Sequence, residues 1–343
     1  MRVLVAPDCF TGTLTAPEAA EAIAEGWLRS DVHATIDLAP LSDGGPGFVE
    51  VLHRSLGGRL VETQVSGPLG EPVSAQFLLA EDGTAYVEAA AACGLALLAE
   101  RARSAIEAST AGVADLLVAA LDAGPRRIVV GVGGTATTDG GRGCVERLGG
   151  ADRWPDGVDL LVATDVDNPL LGGNGAATVY GPQKGADRGQ VAQLEARLVE
   201  WAEMTHGPVG AAGAGAGGGL GYGLMLLGGR RVSGVQTVLE ELRLEERAAV
   251  VDLLLTGEGA FDATSLQGKV VRGVAWVAQR SARPCVVLAG RVLVGRREFS
   301  AAGIDAAYSV EEIAGSVEAA LAEPAARLAD LAERVARSWA PRP

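Results

Sequence analysis

The sequence has almost no lysine. Of 29 basic residues in a chain of 343, only Lys184 and Lys269 are lysines, so arginine fills nearly every ordinary surface-cation role. Each lysine lies in a glycine-bearing segment, GPQKG and LQGK. A compact ammonium on a flexible stem suits a place where arginine's planar fork does not fit, as beside a phosphate. Cysteine and histidine are scarce as well. Cys9, Cys93, Cys144 and Cys285 show no CxxC spacing, and His33, His53 and His206 lie far apart, which argues against a disulfide scaffold and a His/Cys zinc site. The opening apolar run in MRVLVAPD meets Pro7 and Asp8 too early for a signal-peptide core. The uncharged stretch from Ala211 to Gly229 has the length of a membrane span. Its first half is mostly glycine and alanine, which offer too little apolar surface for one. A cytoplasmic protein is expected.

Positive charge is in deficit too. The net charge of -14 and pI of about 4.8 set most of the surface against a phosphate backbone or an anionic bilayer, so neither nucleic acid nor membrane is an expected partner. A small acidic substrate is compatible, because local donors can oppose the global field. What is present is ordinary for a folded protein: 48% hydrophobic and 21% charged residues exclude disorder. The length suggests about two domains, and the sequence leaves room for a homodimer.

Short apolar runs end in Gly, Asp or Asn. They are Val3 to Ala6, Ile36 to Leu41, Ile128 to Val132, Leu160 to Ala163, Leu253 to Leu255 and Val286 to Leu288. They alternate with alanine-rich helical patterns at 17–28, 111–123 and 190–203, the texture of βα units around a parallel sheet. From Gly58 to Ala92 the pattern alternates more and reads as an antiparallel meander. The expected fold is α/β with two lobes. One is a Rossmann-like parallel-sheet lobe of 1–57, 125–186 and 247–343, and the other a mixed α/β lobe of 58–124 and 187–246 carrying the meander, with a cleft between them.

The run GVGGTATTDGG fits G-x-G-x-x-A at Gly131, Gly133 and Ala136, but no acidic strand end follows about twenty residues later, so an NAD-dependent oxidoreductase is a remote alternative. A Walker A loop is absent, since Lys269 is followed by Val270. The denser signal is a set of strand-end carboxylates: Asp8, Asp43, Asp139, Asp165, Asp167, Glu258 and Asp262. Any one of them is most often a helix cap or turn former. Parallel strands bring all their ends to one edge, where such a crowd calls for Mg2+ or lysine to neutralise it. Carboxylates, glycine turns and two lysines together suggest phosphoryl transfer.

The segments DCFTGTL, SDGGPG, GVGGTATTDGG, ATDVDNPLLGGNGA, GPQKGA, GAGAGGGLGYG and TGEGAFDATSLQGK, in this order over Met1 to Gly290, resemble the landmarks of the bacterial glycerate kinase family, of the glycerate 2-kinase type. The resemblance implies ATP, Mg2+ and glycerate bound between two α/β lobes, with a phosphoglycerate as product. On this reading Gly133, Gly134, Gly217, Gly218 and Gly219, with Glu258, line the nucleotide site. Lys184 and Lys269 neutralise phosphate charge, Asp165 and Asp167 hold Mg2+, and Asp8, Asp43 and Asp139 are candidates for the base. The chain departs from the family pattern, which typically carries lysine at Thr11, glutamate at Pro46, asparagine at Thr138, arginine at Ala260 and histidine at Gln267. Two of these losses are cations, so either another arginine serves (Arg142, Arg272 and Arg291 are candidates) or the substrate or activity has changed. A catalytically weak, ligand-binding or regulatory paralogue is the alternative from another class.

A hydrogen bond to a charged group is worth about 1.5–3 kcal/mol, roughly tenfold to a hundredfold in binding. Weak glycerate turnover is therefore predicted for the parent chain. Thr11→Lys with Ala260→Arg should raise kcat/KM for glycerate, and the pair should exceed the two single changes combined. A parent value above about 10⁴ M⁻¹ s⁻¹ would refute the argument from missing cations.

Overall fold

A computed structural model describes residues 1–10, 12–99 and 104–339; Thr11 lies outside the described residues. The chain divides into two compact units, one formed by Met1–Ser42 with Val235 onward, the other by Asp43–Gly234. The first stretch carries strands β1 (Arg2–Val5) and β2 (Thr35–Leu38). The second unit carries β3 (Arg59–Ser66), β4 (Pro72–Leu79), β5 (Thr84–Glu88), β6 (Arg127–Gly131), β7 (Asp159–Ala163) and β8 (Arg230–Val232). The returning chain adds β9 (Leu253–Thr256), β10 (Ala260–Phe261), β11 (Cys285–Ala289), β12 (Arg291–Val292) and β13 (Ala306–Ser309).

In the first unit a wholly parallel sheet runs β13-β11-β9-β1-β2, and β10 pairs with β12 beside it. The central strands are continuous apolar runs because helices cover both faces. Helix Ala16–Ser30 starts at a capping box, with Thr15 accepting from the Glu18 amide and the Glu18 carboxylate accepting from the Thr15 amide. It buries Ala19, Ile23 and Trp27 against Val3, Val5, Leu253 and Leu255, and the larger of these side chains each contribute roughly 2–3 kcal/mol. Gly26 is required where this helix meets helix Pro324–Trp339, because a Cβ there would lie 1.9 Å from the Ala329 carbonyl oxygen.

The second unit is built on one mixed sheet, β3-β4-β5-β6-β7-β8, antiparallel across β3, β4 and β5 and parallel from β5 to β8. Phe77, Val87, Leu117, Ile128, Val130 and Val162 belong to its core. The expected partition changes accordingly. The meander is no separate lobe, because β5 pairs in parallel register with β6 (Glu88 opposite Gly131), so 125–186 and 43–57 belong with it, while 235–246 joins the other unit. Alternation on β3 to β5 and continuous hydrophobicity on β6 and β7 look like two sheets in sequence. They are the antiparallel and parallel halves of one.

The predicted strands lie within a few residues of β1, β2, β6, β7, β9 and β11, and the helical patterns become Ala16–Ser30, Ala111–Asp122 and Arg188–Thr205. The tail forms Val317–Ala322 and Pro324–Trp339, broken at Pro324. Among the described residues no helix is long and apolar enough to cross a membrane. What the fold supplies to function is two carboxyl edges. Asp8 and Glu258 follow β1 and β9 in one unit; the 132–141 loop, the 164–169 loop and Ser233 follow β6, β7 and β8 in the other.

Candidate active site

Three loops of the second unit interlock through glycine. The 43–47 loop lies against the 132–141 loop, where the Gly133 amide donates to the Gly44 carbonyl at 3.1 Å. A Cβ on Gly133 would stand 2.7 Å from the Gly45 Cα, and one on Gly134 would stand 2.6 Å from the Pro46 ring. The third loop turns at Gly217, Gly218 and Gly219, all in the left-handed region with φ of 62°, 72° and 89°, a conformation that favours glycine. A Cβ at Gly218 would lie 1.8 Å from the Thr137 carbonyl oxygen, and one at Gly219 would lie 2.6 Å from the Gly140 Cα. The space these five glycines leave is thus taken by neighbouring backbone. Close loop-to-loop packing accounts for glycine at these five positions, which sequence reading assigns to the nucleotide site.

Beneath two of these loops lies Lys184, carried on a short 3-10 turn, Pro182–Lys184. It is 3% exposed. Its ammonium donates to the Thr137 carbonyl at 2.5 Å and to the Thr135 hydroxyl at 3.4 Å, and a Cβ on Gly218 would reach within 2.8 Å of Nζ. Burial pushes its pKa down to about 8, while the thiol of Cys93 and the Asp139 carboxylate oppose that shift. Lys184 therefore does not project into solvent to meet a phosphate, as expected from sequence. It ties to the 132–141 loop through Thr135 and Thr137 and lies against the Gly218 turn.

Asp139 is no free base. Its carboxylate accepts from the Thr110 amide and hydroxyl, each at 2.8 Å, from the Gly141 amide at 3.1 Å and from the Gly143 amide at 3.2 Å. Shielding from water raises its pKa while these donors oppose the shift. A carboxylate so occupied positions the starts of helices Ala111–Asp122 and Arg142–Arg147. Asp43 is half-buried and accepts from the Gly45 amide at 3.1 Å through one oxygen.

The two proposed metal ligands part company. Asp165 accepts from the Ser233 hydroxyl, and Gly234 passes so close that a Cβ there would lie 2.0 Å from the Asp43 carbonyl oxygen and 3.2 Å from Asp165 Oδ2. Asp167 is 78% exposed and pairs with Arg231 at 2.8 Å. A carboxylate already met by a guanidinium is a poor place for a dication. Among the described residues no three His, Cys, Asp or Glu side chains are grouped to hold a metal. Mg2+ commonly takes one or two carboxylates together with waters and substrate oxygens, and Asp165, on a strand end, fits that mode; Asp167 does not.

In the first unit Asp8 and Glu258 are neighbours on adjacent parallel strands, the Asp8 amide donating to the Gly257 carbonyl at 2.8 Å. The Asp8 carboxylate accepts from the Cys9 amide at 2.7 Å, and Glu258 is buried. Asp262 accepts from the Thr264 amide and hydroxyl, each at 2.7 Å. These bonds, with the nearby Lys269 charge, hold it below the usual carboxylate range. Lys269 is half-buried at the start of helix Val270–Arg280. Of the arginine candidates, Arg272 donates to the Ala302 carbonyl and Arg142 pairs with Glu146 over the Trp201 ring. Arg291 stands on β12 in register with Ala260 on β10, its guanidinium 3.0 Å from Glu311.

Sequence reasoning missed Glu88. It ends β5, and its carboxylate accepts from the Gly47 amide at 2.9 Å. The signal was a lone acid closing TAYVE ahead of an alanine run.

A buried lysine with a lowered pKa favours its neutral form in the fold, so its stabilising contribution is present above the unfolded value of about 10.5 and lost as pH falls through about 8. Lys184→Met does not titrate. The stability advantage of the parent over this variant should therefore shrink by about 2 kcal/mol between pH 10 and pH 7 in urea unfolding. A difference independent of pH would contradict the burial of the ammonium.

The Glycerate kinase family profile matches residues 3–153 and 150–340. An uncharacterised protein of Mycobacterium tuberculosis is 48% identical, over 98% of this chain and 91% of that protein. The glycerate kinase of Bacillus subtilis is 37% identical over 99% and 97%, and the glycerate 2-kinase of Escherichia coli 35% identical over 93% of each. A Salmonella typhimurium LT2 crystal structure, provisionally called glycerate kinase 2, superposes with a TM-score of 0.77 at 34% identity over 98% of each chain. With the family profile, whole-length relatives and a whole-length structural match in agreement, this chain belongs to the glycerate kinase family.

Proposed function

We propose that the protein transfers a phosphoryl group from ATP, with Mg2+, to a hydroxyl of glycerate or of a closely related small hydroxy acid. The observation that carries this reading is the end-to-end match to the family. The geometry adds a physical basis. Phosphoryl transfer asks a protein mainly to position and to neutralise charge. A chain of net charge -14 that keeps a costly buried ammonium beneath two rigid glycine loops meets the second need.

ATP, when bound, supplies the phosphoryl group, and Mg2+ neutralises charge on it. The rest falls to the chain. Lys184 sets the 132–141 and 215–221 loops at their separation and adds a positive field that low local dielectric strengthens. Asp165, oriented by Ser233, is the carboxylate suited to the metal. Asp43 and Asp8, each at a carboxyl edge, are the candidates to take the proton that the substrate hydroxyl gives up. Lys269 offsets the carboxylates of the first unit. Arg291, in register with Ala260 and paired with Glu311, is the guanidinium placed nearest in the fold to the family's missing residue at 260, and would have to exchange that partner to meet a substrate carboxylate.

The test is direct. Purified protein with ATP, Mg2+ and D-glycerate should form a phosphoglycerate detectable by 31P NMR. Asp165→Asn should raise the Mg2+ concentration needed for half-maximal turnover at least tenfold, because a neutral amide is a poorer ligand for a hard dication. Absence of product across a panel of hydroxy acids would overturn the reading, and an unchanged Mg2+ curve in Asp165→Asn would overturn the ligand assignment.

A further inference from the structure

Helix Phe48–Leu56 begins at Gly47, which sits at φ 91° and has no side chain with which to cap it. A helix start leaves backbone N–H groups that need acceptors. The acceptor comes from elsewhere: the carboxylate of Glu88, forty-one residues away in sequence, takes the Gly47 amide at 2.9 Å, and the Phe48 and Val49 amides, the first of which donates to the Gly45 carbonyl, lie near enough to favour its charged form. The helix is further anchored to β5 by the edge contact of Phe48 on Tyr86, with ring centroids 6.1 Å apart.

The loop just ahead of this helix carries Asp43. From Asp43 to Gly47 it is held at its near end by the Gly234 approach and in the middle by the Gly133 amide on the Gly44 carbonyl. At its far end the fastening is Glu88. The next residue, Ala89, donates its amide to the Gly131 carbonyl at 2.9 Å, and Glu88 itself is in register with Gly131. One side chain thus ties the 43–47 loop to the strand end from which the 132–141 loop departs. We propose that Glu88 is a positioning residue, whose carboxylate fixes the Asp43 loop against the glycine loop of β6 and thereby sets the geometry for turnover. The link to turnover rests on the kinase reading above; the link to loop order does not.

The surroundings of Glu88 sharpen the test. Shielding from water lifts its pKa to about 7, although three backbone amides favour the charged form, and Glu50 on the capped helix raises it further. Glu50 is itself 3.7 Å from Arg54, and His53 is the other titratable group on that helix. The neighbouring strands present Gly131 on β6 and Phe77, opposite Val87, on β4, and the following helix Ala90–Cys93 carries no acid or base other than its thiol. Because the native pKa lies above the ordinary carboxylate value, ionisation of Glu88 works against stability as pH rises from about 4.5 through 7. The same ionisation strengthens its bonds to the amides.

The experiment compares the parent with Glu88→Gln and Glu88→Ala. Amide hydrogen exchange is read for Gly47, Phe48 and Val49, and kcat and KM for glycerate phosphorylation are read from pH 5.5 to 8.5. In Glu88→Ala those three amides should exchange at least tenfold faster while core amides of β6 keep their protection. Turnover should fall at least tenfold in kcat with KM for ATP within twofold. Glu88→Gln keeps an acceptor oxygen and should recover most of the amide protection and most of kcat, with a flatter kcat profile between pH 6 and 8. Unchanged exchange in Glu88→Ala overturns the proposal, as does a loss of kcat that glutamine does not recover. If the parent phosphorylates nothing, the kinase reading fails by itself, and exchange still decides whether Glu88 fastens the loop.

Discussion

The second unit is organised around one ammonium group out of contact with water. Lys184 gives hydrogen bonds to the Thr137 carbonyl and the Thr135 hydroxyl, and everything above it must accommodate that. The 132–141 loop bends over the side chain, and the 215–221 loop closes from the other side at van der Waals distance. Only glycine fits the contact points, since a Cβ at Gly218 would fall within 1.8 Å of the Thr137 carbonyl oxygen. Burying a charge is expensive unless hydrogen bonds meet it. Here the Thr137 carbonyl and the Thr135 hydroxyl meet it, and burial still lowers its pKa to about 8.

The strand-end carboxylates of the two units divide by what already occupies them. Asp139, saturated by Thr110, Gly141 and Gly143, is a scaffold for two helix starts. Asp262 is a turn former with its own Thr264. Asp167 is spoken for by Arg231. These three look alike in sequence to Asp165, Asp43 and Asp8, which follow strands and accept from Ser233, Gly45 and Cys9 respectively. Position at a carboxyl edge makes a carboxylate eligible; its hydrogen bonds decide whether it is available.

That division marks how far the sequence could be read. The parallel strands β1, β6, β7, β9 and β11 are legible because each is a continuous apolar run closed by a glycine or acid, the consequence of burial on both faces. Strands β8, β10 and β12, of two or three residues each, carry too few side chains for any period to show. The unit boundary was misplaced because the antiparallel and parallel halves of one mixed sheet differ in pattern as much as two sheets do. The site loops were legible as glycine-rich turns, but what the glycines make room for was not. Close approach between 133 and 45, or between 218 and 137, is a tertiary fact with no local signature. Glu88 was invisible for the same reason, since the amides it serves belong to a helix start forty residues upstream.

The scarcity of lysine makes the central claim unusually accessible to measurement. With only Lys184 and Lys269 in the chain, protein labelled with 13C at lysine Cε gives two signals, and Lys184→Met assigns them. The account predicts that the Lys184 signal titrates with a midpoint near 8 in the free protein, and that saturating Mg2+ and a non-hydrolysable ATP analogue raise the midpoint by at least half a unit, as a nearby polyanion stabilises the ammonium. A Lys184 midpoint near the ordinary lysine value of about 10.4, unmoved by nucleotide, would contradict both its burial beneath the glycine loops and its place in the phosphate site.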